Sequence, residues 1–317
     1  MFIVKFLKGF ISQIISDKCY LKIVYQKNRG EKLHLSNPLT FQEKLQWLKL
    51  YNRNPLYSLF VDKYEVKKYV TRVLGEKYVI PTLGCWNNAK NIDFNLLPNK
   101  FVLKTTHDSG GVIICNDKSR FDCLKSIEFL NNRINNKVFY STREWPYENV
   151  KPRIIAEEYI ERKNNTDLVD YKIYCFYGIP KYIQVIQNRF ANETIDFFDT
   201  EWNHQEFTGL SMKGMKSKKS KKVIEKPINL NEMLIIAEKL SVNIPFVRID
   251  LYNIEGNILF GEMTFFPLSG LGFFTPSIWD KKLGDCLSFC ENIHNIDCNI
   301  YLRRGGVIKR DCKLLAA

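Results

Sequence analysis

FVRIDLYNIEGNILFGEMTFFP, residues 246–267, carries two apolar-rich runs around a short polar loop, Asn253-Ile254-Glu255-Gly256-Asn257. The pattern predicts a β-hairpin, with Gly256 supplying the backbone angles that the turn requires. Strand side chains alternate between faces, so Val247, Ile249, Leu251, Leu259, Met263 and Phe265 fall on one side and Arg248, Asp250, Glu262 and Thr264 on the other. The first side reads as core. The second is a polar constellation, in which Asp250 opposite or diagonal to Glu262 brings two carboxylates within roughly 5–8 Å. Like charges across a sheet repel, and a cation between them relieves the repulsion. Mg²⁺ suits the place, since it takes one or two carboxylates and completes its octahedron with water and phosphate oxygens. Two readings follow: a metal–nucleotide site, or a solvated hairpin face with an Arg–acid pair. Tyr252, Ile258 and Phe260 interrupt the polar side near the turn and confine either one to the open end of the hairpin.

The 317-residue chain is 45% hydrophobic, long enough for a sizeable core divided among two or three subdomains. Its formal charge of +13 admits nucleic acid, an anionic membrane surface and anionic metabolites as partners. Nucleic acid is not expected, because the basic run at residues 213–226 contains no Phe, Tyr or Trp on which bases would stack. The nine cysteines include no Cys-x-x-Cys, and Cys115, Cys175, Cys286 and Cys290 sit in apolar runs, as suits reduced thiols in a cytoplasmic protein. Four histidines, His34, His107, His204 and His294, are too scattered for a zinc site. No apolar run reaches the length of a membrane span, and the first residues lack a signal-peptide cleavage site. Phe2, Ile3, Phe6, Leu7, Phe10, Ile11, Ile14 and Ile15 nevertheless form a helical apolar stripe. That stripe reads either as a helix docked on its own domain or as a peripheral anchor at the inner-membrane surface.

In chain order, Thr40 and Glu43 form a capping box that opens a helix through about Tyr51. A second helix is predicted over residues 56–74, stopped by Gly75, before the strand-like Tyr78-Val79-Ile80-Pro81. Residues 87–100 read as a polar connection and a subdomain boundary. Residues 101–115 read as strand, loop and strand, with Lys104 near the end of the first strand and Gly110-Gly111 in the loop. A Gly-Gly turn lets backbone N–H groups approach an anion, although the spacing is not that of a P-loop and an ordinary hairpin with a surface lysine also fits. Further on come a helix at 122–135, a strand at 153–160, a strand pair at 171–177 and 182–186 turning at Gly178, and an edge strand at 197–199. The lysines of residues 213–226 read as a solvated, mobile loop or as a contact with an anionic lipid or polymer. A helix over 230–240 leads into the hairpin, and one more follows Trp279.

Taken together, a strand with Lys104, a Gly-Gly loop, a strand with Glu157-Glu158, and Arg-x-Asp with Glu-x-Thr on a hairpin resemble the ATP-grasp superfamily. Within it the chain resembles the TupA-like branch, named for teichuronopeptide synthesis and found in bacterial surface-polysaccharide gene sets. The likeness covers about residues 38–282 and rests jointly on LTFQEKLQWLKLYNRNPLY, VLKTTHDSGGVIIC, REWPYENVKPRIIAEEYI and the quoted hairpin. It implies an α+β ATP-grasp fold in which two α+β subdomains grip ATP: a mainly helical region at 1–100, a small subdomain at 101–165 and a large one at 166–317. It also implies that Lys104 contacts the ATP phosphates and that Asp108, Ser109, Gly110 and Gly111 fold over them. Glu157, Glu158, Tyr159 and Ile160 would form the strand that holds adenine, and Lys172 would be a second phosphate-facing cation. Asp250 and Glu262 match the Mg²⁺ ligands, and Arg248 matches the cation that steadies the transferred group. Thr264 stands where many ATP-grasp ligases carry a metal-binding Asn, and Asp167 is a candidate for the ribose.

The activity implied by the resemblance is amide formation through an acyl phosphate, joining an amino acid or small amine to the carboxylate of a uronic-acid sugar or sugar nucleotide. Basic residues such as Arg143 and Arg189 are candidates for binding that anionic acceptor, or for structural ion pairs. A phosphotransferase with the same ATP site and a hydroxyl acceptor is the alternative. A glycosyltransferase is a further one, although no Asp-x-Asp occurs in the chain.

Overall fold

The computed structural model describes residues 15–161, 168–189 and 192–289. The apolar stripe through residue 14, Asp167 and everything beyond residue 289 lie outside the described residues. The described residues open with four helices, α1 (Asp17–Arg29), α2 (Phe41–Tyr51), α3 (Leu56–Val61) and α4 (Glu65–Leu74). Thr40 caps α2 and Glu43 reciprocates, the capping box that the sequence predicts. The helix expected over 56–74 is broken in the middle. The Asp62 carboxylate accepts from Tyr64 N and Glu65 N, and Lys63 N donates to Thr106 O, so the chain is pulled out of helix and re-enters it at Glu65.

A four-stranded antiparallel sheet follows, β1 (Thr82–Trp86), β2 (Phe101–Thr105), β3 (Val112–Cys115) and β4 (Ile154–Glu158), in the order β1-β4-β2-β3. Helix α5 (Cys123–Ile134) packs on it through Leu130, and the short α6 (Val138–Thr142) leads back towards β4. The expected strand at 78–81 is instead a turn whose Val79 makes a single bridge to Phe260; the strand lies just after it, at β1. Nor do residues 87–100 mark a boundary. Ala89, Ile92 and Leu97 bury themselves with Phe101, Leu103 and Leu130 in the core of this sheet, which therefore begins near residue 82 and not at 101.

The second sheet contains β5 (Asp170–Phe176), β6 (Ile179–Gln187) and β7 (Thr194–Asp199). After β8 (Thr208–Ser211) and α7 (Leu230–Ser241) the predicted hairpin, β9 (Phe246–Ile254) and β10 (Asn257–Thr264), completes it in the order β10-β9-β5-β6-β7. Glu255 and Gly256 both have positive φ at its turn. β11 (Phe273–Thr275) pairs with β8, and α8 (Ile278–Asp285) ends the described chain. One face of the large sheet packs on α7, with Ile173, Val247 and Ile249 against Met233, Ala237 and Leu240 in one core. The other face changes character along its strands. Tyr174, Phe176 and Phe246 pack on Phe41 of α2, with the Phe41 and Phe246 rings 4.8 Å apart, while the residues nearer the start of β5 are polar. Helices α2, α3 and α4 thus share the large sheet's core, while α1 buries Leu21 and Tyr25 with Leu33 and Leu35 in a small cluster beside it.

One detail of the hairpin departs from simple alternation. A β-bulge between Phe260 and Glu262 shifts the register, so that Phe260 pairs with Leu251 while Glu262 pairs with Asp250. Ile258 and Phe260 are therefore buried, and Leu259, expected in the core, is partly exposed opposite Tyr252.

Candidate functional site

The two sheets enclose a cavity of about 1240 Å³, larger than most single-ligand pockets. Its large-sheet wall is one rung of the ladder read across four strands. Gln184 of β6 pairs with Lys172 of β5, Lys172 with Asp250 of β9, and Asp250 with Glu262 of β10. The next rung pairs Tyr174 with Arg248 and Arg248 with Thr264. The two acids are thus directly opposite, and protein cations answer the repulsion between them. Arg248 donates to both oxygens of Asp250, at 2.6 and 2.7 Å, and reaches Thr264 Oγ1 at 3.0 Å and Glu262 at 3.4 Å. Lys172 Nζ donates to Asp250 Oδ2. Burial alone would raise the Glu262 carboxyl, but Lys63, Lys172 and Arg248 outweigh it and hold it down to about 2.

The opposite wall comes from the small sheet and α4. Lys104 of β2 and Lys67 of α4 both meet the Glu157 carboxylate at 2.5 Å. Glu157 is only 4% exposed; burial pushes its carboxyl up, and the two lysines overcome that and hold it below the ordinary value. Lys63, in the break between α3 and α4, donates to Asp108 O at 2.6 Å. Lys63 lines the cavity; burial pulls its ammonium down, and the charges of Glu262 and Asp108 oppose that. Exposed Val112 and Ile114 pair with Lys104 and Val102 and, with Val102, Tyr159 and Ile160, give this wall its apolar part.

Of the expected site residues, Lys104, Asp108, Ser109, Gly110, Glu157, Glu158, Tyr159, Ile160, Lys172, Arg189, Arg248, Asp250 and Glu262 all line the cavity. Asp108 has a particular place there: Thr105 Oγ1 donates to its Oδ1 and Arg133 meets its Oδ2 at 2.5 Å, so its carboxylate shapes the loop. Gly111 lies beneath the loop and does not line the cavity. A Cβ built on it would come within 1.8 Å of Thr105 Oγ1 and 2.7 Å of Asp108 Oδ1, so only glycine lets the loop close. Arg189 is half-exposed and pairs with Asp170 at 2.9 Å.

Arg143 stands elsewhere. It is buried, with Nε 2.9 Å from Asp17 and its guanidinium over the Tyr20 ring, so it joins α1 to α6 and cannot meet an acceptor in the cavity. Its neighbours Glu144 and Tyr147 line the cavity instead. Burial pushes the Tyr147 phenol well up, with the charges of Glu144 and Glu262 adding to the effect. Sequence reasoning also missed Lys63 and Lys67. The signal was present: Lys63, Val66, Lys67 and Val70 fall on one helical face, so two lysines occupy positions of a stripe that is otherwise buried.

The donor chemistry fits Mg²⁺ bound together with a phosphate. Asp250 and Glu262 offer hard oxygens side by side, and the Glu262 side chain is 44% exposed. Among the described residues no group of three His, Cys, Asp or Glu side chains forms a metal cage, so such an ion would need phosphate and water to complete its shell.

Comparison with solved structures gives a D-alanine–D-alanine ligase from Bacillus anthracis complexed with ATP, at 18% identity and a TM-score of 0.41, covering 72% of this chain and 65% of that one. A RimK domain ATP-grasp protein from Sphaerobacter thermophilus matches at 9% identity and a TM-score of 0.38, covering 75% of this chain and 70% of that one. The ATP-grasp ligase PsnB, complexed with minimal precursor, Mg and ADP, matches at 13% identity and a TM-score of 0.37, covering 78% of this chain and 65% of its own. The chain thus spans 65% of the length of the first and third of these. Comparison with curated protein sequences gives no significant match. The family model for TupA-like ATPgrasp matches residues 43–288, which contain both sheets and every cavity residue discussed above, and the chain belongs to the TupA-like ATP-grasp family.

Proposed function

We propose that the chain is an ATP-dependent carboxylate–amine ligase, joining an amino acid or simple amine to a uronic-acid sugar of a bacterial surface polysaccharide. One observation carries the reading: the rung Lys172–Asp250–Glu262, with Arg248 beside it, faces Lys63, Lys67, Lys104 and the Gly-Gly loop across one cavity. Anionic phosphates would find cations on both walls, and the apolar surface of Val102, Val112 and Ile114 is suited to the face of a base. Asp250 and Glu262 would hold Mg²⁺, which when bound supplies charge neutralisation between the acids and the phosphates.

In this reading Ser109 and Gly110 cover the terminal phosphates, and Lys172 and Arg248 exchange part of their hold on Asp250 for the phosphoryl group in transit. A carboxylate oxygen of the acceptor attacks the γ-phosphorus, the bond to ADP breaks, and an acyl phosphate forms. The amine nitrogen then bonds to the acyl carbon as the carbon–oxygen bond to phosphate breaks, and the nitrogen's proton leaves with the phosphate. No side-chain nucleophile takes part, so positioning and electrostatics supply the rate. Arg189, half-exposed on the cavity wall, is suited to the anionic acceptor.

The test is ADP release from Mg-ATP with a panel of uronate sugars, with and without amino acids and small amines. Release that requires both an acid and an amine is the expected result. Release with a sugar hydroxyl acceptor and no dependence on amine would replace the ligase by a phosphotransferase.

A further inference from the structure

The lysine run is not a loose loop. Lys218 O accepts from Ile195 N of β7 at 2.7 Å, and Ser220 N donates to the buried Asp196 at 2.9 Å. Lys219 Nζ donates to Gln205 O at 2.8 Å, and Ile224 O accepts from Trp202 Nε1 at 3.1 Å. Held at those points, the segment turns Lys213, Lys216, Lys218, Lys221, Lys222 and Lys226 to solvent, with Glu225 the one acid among residues 212–228. The same segment exposes four apolar side chains: Met212 at 60%, Met215 at 66%, Val223 at 89% and Ile228 at 99%.

Lysines alone would suit any polyanion. Methionine, valine and isoleucine interleaved with them gain nothing from a polyanion and nothing from water, but they gain burial in the boundary between headgroups and acyl chains. We propose that residues 212–228 form a docking surface for an anionic lipid bilayer, with the lysines on the headgroup phosphates and the four apolar side chains entering the interface. The surface continues onto α1: Lys213 Nζ lies 3.9 Å from the Cβ position of Gly30, and α1 exposes Lys22, Ile23 and Lys27. The contact is peripheral, since among the described residues no helix is long and apolar enough to cross a membrane. It also sits beside the cavity. Ile195, which anchors Lys218, lines the cavity together with Leu210 and Arg189, so the bilayer would lie next to the wall suited to an acceptor, and a lipid-carried acceptor would be delivered there. The docking surface stands whether or not the ligase reading does.

The experiment is co-sedimentation of the full chain with phosphatidylcholine vesicles, with and without phosphatidylglycerol, beside retention on heparin. Two variants accompany the wild type: Lys216→Gln with Lys221→Gln and Lys222→Gln, and Met215→Ser with Ile228→Ser. All five side chains are exposed and none lines the cavity, so ATP binding serves as the control for folding. Substitution is preferred to deletion because Lys218 O and Ser220 N cover β7. The expected result is binding that requires phosphatidylglycerol, falls at least tenfold in the lysine variant and falls further with salt, and is also weakened in the apolar variant. Absent binding, equal binding to both vesicle types, or wild-type binding by both variants would overturn the proposal. So would heparin retention as strong as vesicle binding together with an unaffected apolar variant, which would point to a soluble polyanion.

Discussion

At Asp250 two carboxylate oxygens answer three cationic donors, two from Arg248 and one from Lys172, in a position only 4% exposed. Considered from sequence, removing one of two facing acids ought to relieve repulsion. The structure reverses that expectation for Asp250, because its loss leaves two cations without their main anion. Asp250→Asn should therefore destabilise the protein by about 3 kcal/mol in urea unfolding. Glu262→Gln, where the side chain is 44% exposed and solvent screens its charges, should cost less than Asp250→Asn. Both should abolish Mg-dependent ATP turnover. Equal stability losses in the two variants would mean that the charge balance is wrongly assigned. Glu262 adds a pH test. Its folded value near 2 lies below the ordinary 4.5, so its ionisation stabilises the fold above pH 4.5 and that contribution disappears as pH falls from 4.5 towards 2. Wild type should lose stability more steeply than Glu262→Gln across that window, and parallel profiles would contradict the assignment. The acids and Arg248 were legible in sequence because strand alternation puts them on one face. Arg143 was left open in sequence between acceptor and ion pair, because a lone arginine carries no mark of which it faces; the structure gives the ion pair.

Among the elements, α2 does work that its polarity conceals. Gln42, Glu43, Lys44, Gln46 and Lys49 are all buried, and the heads of Lys44, Gln46 and Lys49 go to backbone groups of distant loops, Lys44 Nζ to Gly284 O and Leu287 O. Lys49 Nζ donates to Thr142 O, Ser269 O and Ser269 Oγ, and Gln46 Nε2 to Ser269 O and Gly270 O. They hold a turn in which Leu268, Ser269 and Gly270 all have positive φ, at 45, 55 and 63°. Such angles cost roughly 1–3 kcal/mol for each non-glycine residue, so the turn persists because the helix fixes it. Leu268 and Ser269 line the cavity, and the helix thereby shapes one of its walls. Lys49→Met should cost about 2–3 kcal/mol in urea unfolding, through the acceptors it leaves without a donor; a change below about 0.5 kcal/mol would remove α2 from this role. In the Gly-Gly loop, Gly111→Ala should raise the dissociation constant for ATP at least tenfold while the far-ultraviolet circular dichroism stays unchanged, because the added methyl group displaces Thr105 and Asp108 and opens the loop. Long periodic elements such as α2, α5 and the hairpin were readable. β8 and β11, of four and three residues, are too short to show alternation, and the bulge in β10 inverted the parity on which Leu259 was placed.

For the whole molecule, the order of elements was legible and their grouping was not. Nothing local in residues 82–100 says that they close the small sheet, or in α2, α3 and α4 that they share a core with strands more than a hundred residues later; both depend on long-range packing. The resulting arrangement sets two sheets on either side of one cavity, with Lys63 lining it and bound to the small sheet's loop at Asp108 O. Mg-ATP should draw the two together, slowing amide hydrogen exchange at residues 108–111 and at 248–250; exchange slowed on one sheet only would mean that the nucleotide does not bridge them. The most direct measurement is calorimetric binding of a non-hydrolysable ATP analogue to the wild type and to Glu262→Gln, each with and without Mg²⁺. The account predicts tight wild-type binding that weakens at least tenfold when Mg²⁺ is withheld, and a variant that binds weakly and indifferently to Mg²⁺. Wild-type binding that ignores Mg²⁺, or a variant that keeps the full Mg²⁺ dependence, would contradict the placing of the metal–nucleotide site on Asp250 and Glu262.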